Sequence, residues 1–93
     1  MVRDEFVMKL KNEGIPVEMH DSLVELFDSM PVEFARNCVG KKFLHGVISP
    51  GHLANLDCAG KGPENKIILN GKVVYNRGDF LLWLARRSAI NVL

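Results

Sequence analysis

A chain of 93 residues, 47% apolar and 25% charged with a net charge of +1, suffices for one small globular domain and leaves no room for a second. No apolar run approaches the ~18 residues needed to cross a membrane, and the charged opening MVRDEFVMKLK lacks the apolar core of an export signal. Cys38 and Cys58 are too few for a disulfide framework, so the composition predicts a cytoplasmic protein with free thiols.

The charge is unevenly spread. Residues 1–35 carry three basic and eight acidic side chains, and residues 36–93 carry nine basic and three acidic. A net +1 argues against strong binding to nucleic acid, yet an acidic front and a basic back suit a back half that meets a polyanion. Plain solvation of both surfaces accounts for the same asymmetry.

In chain order, Phe6 and Leu10 are four residues apart with Val7 beside them, which predicts a helix over 3–13. Gly14 and Pro16 end it. Ile15 to Met19 reads as an extended link. Ser22-Leu23-Val24-Glu25 fits a capping box that opens a second helix to about Ser29, with Leu23, Leu26, Phe27 and Met30 on one face. Pro31 suits the first turn of a third helix, with Phe34, Ala35 and Cys38 facing inward and Gly40 breaking it. Lys41 to His45 form one further turn at most, and Gly46 turns the chain.

Ser49 and Pro50 are the strongest helix start, as N-cap and first helical residue. Leu53 and Leu56 face inward, Gly60 ends the helix in a left-handed cap and Pro63 stiffens the elbow that follows. Asn70-Gly71 between Ile67-Ile68-Leu69 and Val73-Val74-Tyr75 predicts a tight hairpin, because both central residues of a type I′ turn need positive φ. Asn76 caps a last amphipathic helix. Phe80, Leu81, Trp83 and Leu84 pack inward from it, and Arg86 and Arg87 fall in its last turn. No internal repeat or low-complexity linker divides the chain.

Ser49, Pro50, Gly51, Leu53, Asn55, Leu56, Gly60, Gly62 and Pro63, then Gly71, Lys72, Val73 and Tyr75, then Asp79, Trp83 and Leu84, resemble the excisionase-like, MerR-type winged helix-turn-helix of phages and mobile elements. The likeness covers roughly 40 residues, or roughly 55 with the segment from Pro31. It implies an α+β fold: a small winged helix-turn-helix with a two-stranded hairpin wing and an extra N-terminal helical hairpin, residues 1–30 forming the acidic extension and 31–88 the module. The segment from Pro31 would be the first helix of the motif and Ser49–Cys58 the recognition helix. Two departures stand out: the gap from Gly40 to Ile48 exceeds a 3–4-residue turn, and the acidic residues 1–30 lie outside the likeness.

On a helical wheel, Gly51, Asn55 and Cys58 point away from the side of Leu53 and Leu56, with His52 at the flank. Asn55 is the best base-contact candidate, since its amide pairs bidentately with adenine. His52 can reach a phosphate or base edge, and Ser49 and Gly51 bring first-turn amides close to phosphate. Lys41, Lys42, Lys61, Lys66, Lys72 and Arg77 are the candidate phosphate contacts, with Lys72 at the hairpin tip foremost. Each of these is equally a solvated surface residue when taken alone. Tyr75 and Trp83 read as core rather than stacking platforms.

Cys38, His45, His52 and Cys58 match none of the close-paired zinc patterns, so no metal or cofactor is expected. No nucleophile–base arrangement or P-loop argues for an enzyme. The function the resemblance implies is sequence-specific, non-catalytic binding of double-stranded DNA, as a phage-like transcription regulator or an excisionase-type recombination factor. A homodimer, a cooperative array or an integrase or recombinase partner would supply added affinity, and no membrane is involved. The acidic N-terminal helices, with Phe6, Leu10, Leu23 and Phe27, are the candidate for that contact, and capping of the domain's own core accounts for the same residues equally well. The alternative function is a protein-interaction module built on a winged helix, meeting a recombinase or polymerase.

Overall fold

The largest apolar side chains of the first thirty residues, Phe6, Leu10, Leu23 and Phe27, join one core with the rest of the chain. The computed structural model describes residues 1–38 and 48–92, with side chains to Ser88 in the last helix. Helix α1, Arg3–Asn12, buries Phe6 and Leu10. It closes at Gly14, whose φ of 70° suits glycine and lets the Gly14 and Ile15 amides donate to the carbonyls of Lys11 and Leu10. Helix α2, Val17–Ser29, buries Leu23 and Phe27. Phe6 and Phe27 stack with ring centroids 4.7 Å apart.

The start of α2 corrects the expected link and capping box. The helix begins directly after Pro16, and Ser22 sits exposed in its second turn. Ile15 is buried and accepts a hydrogen bond from His20 through its carbonyl, while Met19 packs against the core. The turn that looked extended is therefore anchored at both ends.

The helix expected from Pro31 is also corrected. Met30 is extended, as the residue before a proline prefers. Strand β1, Glu33–Ala35, follows, and Arg36–Cys38 form a 3-10 turn. Glu33 is exposed and Phe34 buried, an alternation that fits a strand facing a core on one side. Phe34 meets the Phe80 ring edge-on at 5.2 Å and lies 5.9 Å from Tyr75. Residues 39–47, which include the expected break at Gly40 and the turn from Lys41, lie outside the described residues.

Helix α3, Pro50–Cys58, precedes strands β2, Ile67–Leu69, and β3, Lys72–Asn76. The sheet is antiparallel in the order β1-β3-β2. Phe34 faces Tyr75 in one register and Leu69 faces Lys72 in the other, across the Asn70-Gly71 turn. Asn70 and Gly71 have φ of 51° and 74°, as a type I′ turn requires. Among the described residues β2 is an edge strand, and all three of its apolar side chains are exposed.

Asn76 ends β3 and caps helix α4, Arg77–Val92, accepting from the amides of Gly78 and Asp79. Phe80, Leu81, Leu82 and Trp83 are buried in succession, so α4 is enclosed on most sides. Arg86 and Arg87 lie in its middle rather than its last turn. Arg86 pairs with Glu13 and Glu64. The result is a small α+β domain of four helices and a three-stranded antiparallel sheet among the described residues. One apolar cluster joins Phe6, Leu10, Leu23 and Phe27 to Tyr75, Phe80 and Trp83. Those four N-terminal residues thus belong to the core and are not an exposed docking face.

Candidate nucleic-acid interface

Ser49 Oγ accepts from the His52 amide at 3.1 Å and Pro50 occupies the first helical position, so the start of α3 is fixed locally. Leu53 is fully buried and Leu56 packs against the core, which leaves Gly51, His52, Asn55 and Cys58 exposed on the opposite side. A methyl group at Gly51 would meet nothing within 4 Å.

Asp57 lies on the same helix, yet its side chain is only 5% exposed. Its Oδ2 accepts from Arg36 Nη2 at 2.6 Å and from the Tyr75 hydroxyl, and Arg36 Nε donates to the Tyr75 oxygen at 2.9 Å. The Lys66 ammonium lies 3.8 Å from Oδ1. These contacts tie α3 to the 3-10 turn, to β3 and to the residue that leads into β2. Burial first, and then the hydrogen bond to Asp57, push the Tyr75 hydroxyl up to about 12, so it remains a donor. The Arg36 guanidinium is raised above its ordinary value, chiefly by its bond to Tyr75 and further by Asp57, against the effect of burial. Loss of Arg36 would cost on the order of 3 kcal/mol, because the buried Asp57 carboxylate would keep its charge without its guanidinium partner.

The elbow closes over Asp57. Gly60 has a φ of 73°, and the Lys61 amide donates to the Leu56 carbonyl at 2.8 Å. At Gly62 a Cβ would stand 1.8 Å from Asp57 Oδ1, so only glycine fits as the chain now runs. Pro63 is fully buried. The Trp83 indole donates to the Lys61 carbonyl at 2.8 Å and locks the elbow onto α4.

Beyond the elbow, the hairpin turns back toward the start of α3. Gly71, Lys72 and Val73 face Arg36, Asn37 and Pro50 across an open cleft of about 250 Å³. No family model, curated protein or solved structure matches this chain.

The structure thus gathers some of the expected contacts and separates others. Ser49, Gly51, His52 and Asn55 share the exposed side of α3, and Lys72 sits across the cleft from its first turn. Lys61 and Lys66 are exposed, with Lys66 held near Asp57. Arg77 points elsewhere: Nη1 donates to the Met30 carbonyl at 2.9 Å, and the guanidinium lies 4.1 Å over the Phe27 ring. That geometry assigns Arg77 to the interior rather than to phosphate. Lys41 and Lys42 lie outside the described residues. Among the described residues no three His, Cys, Asp or Glu side chains gather as a metal site, and no helix is long and apolar enough to cross a membrane.

Sequence reasoning misses Arg36 and Asp57. For Asp57 a signal exists. At about 100° per residue it lies about 40° from Leu53, nearer the buried stripe than Leu56 at about 60° on the other side. A carboxylate on the inner face of a helix demands a partner.

Proposed function

We propose that this chain is a non-catalytic, sequence-specific DNA-binding protein with a winged helix-turn-helix architecture. In this reading α3 enters the major groove and the β2–β3 hairpin acts as the wing. The observation that carries it is the cleft between the first turn of α3 and the hairpin tip, with Lys72 and Arg36 on its walls and the exposed Gly51, His52 and Asn55 beside it. A strand, a helix and a hairpin with β3 central are compatible with that architecture. Asn55 reads a base, and Ser49, Gly51 and His52 set the distance to the backbone. Lys72, Lys61 and Lys66 meet phosphate. A role in transcription control or excisionase-type recombination follows from the sequence resemblance. One such module buries only ~600–1,000 Å² on DNA, so a dimer, an array or a recombinase partner completes the affinity.

Fluorescence anisotropy on a mixed pool of short duplexes, from about 50 to 200 mM salt, tests the reading. Binding should weaken steeply with salt. Lys72→Glu should weaken it on all sequences and flatten the salt slope by about one ion, whereas Asn55→Ala should cost about 1–3 kcal/mol on a selected site and little on random DNA. A folded sample that binds no duplex at the lowest salt, or binds equally well as Lys72→Glu, sinks the proposal.

A further inference from the structure

Helices α1 and α2 leave an open groove of about 580 Å³ between them, separate from the cleft beside α3. Val7, Val17 and Val24 line it, with Arg3 and His20 beside them. Val17 is 76% exposed, and Val7 and Val24 are half-buried. Asp21, Glu25 and Asp28 rise along one edge at intervals of four and three residues, so they form a single ridge on α2. Asp28 is paired with Arg3 at 3.5 Å. Asp21 and Glu25 have no ion-pair partner among the described residues.

We propose that this groove is a docking site for a basic amphipathic α-helix of a partner protein. From Val17 to Asp28 α2 rises roughly 16 Å, which is three helical turns. A helix with apolar residues at i, i+3 or i+4, and i+7 lays one stripe on the three valines, and lysines or arginines beside that stripe meet Asp21 and Glu25. Charge selects this occupant. Arg3 is taken up by Asp28, so the groove's unpaired charges are the acidic Asp21 and Glu25; a second copy brings the same acidic excess, and an anionic bilayer or nucleic acid would be repelled. The proposal is independent of DNA binding, since it uses none of the residues assigned to that reading.

The test is a titration of the isotopically labelled full chain, followed by amide chemical shifts. The probe is a synthetic four-turn peptide of leucines and lysines in helical repeat, with a control in which glutamates replace the lysines. Shifts should concentrate on Val7, Val17, Asp21, Val24 and Glu25, and the glutamate peptide should not bind. Val17→Ser and Glu25→Lys, both at exposed positions, should each weaken binding by about fivefold or more while leaving distant amides unmoved. Four results would overturn the proposal. They are no shifts at millimolar peptide, shifts spread equally over Glu33, Glu64 and Asp79, an undiminished affinity in Val17→Ser, and groove shifts that change with protein concentration without peptide. The last result would assign the groove to a second copy.

Discussion

Tyr75 is the sole tyrosine in the chain, so its ionisation can be followed by tyrosinate absorbance without interference. Its hydroxyl should titrate near 12 in the folded protein and near 10 once unfolded. Between those values the unfolded chain has lost its proton and the native one keeps it. Stability from this group is therefore complete below pH 10 and falls by about 2–3 kcal/mol as the pH rises to 12. Denaturant unfolding of the wild type and of Tyr75→Phe across that range should show the extra slope only in the wild type. The glycines offer a second contrast. Gly62→Ala drives a methyl into Asp57 and should cost about 1–3 kcal/mol in denaturant unfolding. Gly51→Ala meets open space and should leave stability unchanged or raise it by about 0.5 kcal/mol, yet weaken binding to a duplex that needs close approach. The need for glycine at position 62 cannot be seen in the sequence, because it arises from a carboxylate five residues earlier that the chain folds back upon.

Among the elements, α1, α3, the hairpin and α4 are legible in the sequence because their signals are local. Ser49 caps within its own turn, and Asn70-Gly71 supplies the two positive φ values at the site that needs them. Strand β1 is not legible, because what makes it a strand is β3, some forty residues on. Pro31 and Phe34 read equally well as the opening of a helix until Tyr75 and Phe80 are in place beside them. The Arg36–Asp57–Tyr75 set is hidden for the same reason, with separations of 21, 39 and 18 residues. Backbone chemical shifts should be extended over residues 33–35, with a cross-strand contact between Phe34 and Tyr75. Phe34→Ala should cost about 3–5 kcal/mol, the loss expected of a buried ring. Helical shifts over 33–38 would restore the helix that the sequence suggests.

Across the whole molecule, the acidic N-terminal third and the basic remainder share one core. Burying Phe6, Leu10, Leu23 and Phe27 contributes about 1.5–3 kcal/mol each, a sum comparable to the 5–15 kcal/mol that stabilises a typical domain. Removal of residues 1–30 should therefore leave a chain that melts without a cooperative transition by circular dichroism. A folded 31–93 fragment would mean that α1 and α2 are an appendage. The edge strand described above bears on how any of these variants behave at high concentration. Ile67, Ile68 and Leu69 expose an apolar strand whose outer side pairs with no strand among the described residues, the kind of template along which chains add one to another. It is only three residues long and stands between Lys66 and Lys72, whose charges oppose stacking of like on like. The lysines proposed to meet phosphate would thus also serve as gatekeepers against aggregation. Reversing Lys72 to glutamate preserves a charge at that gate, whereas neutralising Lys66 and Lys72 together would open it.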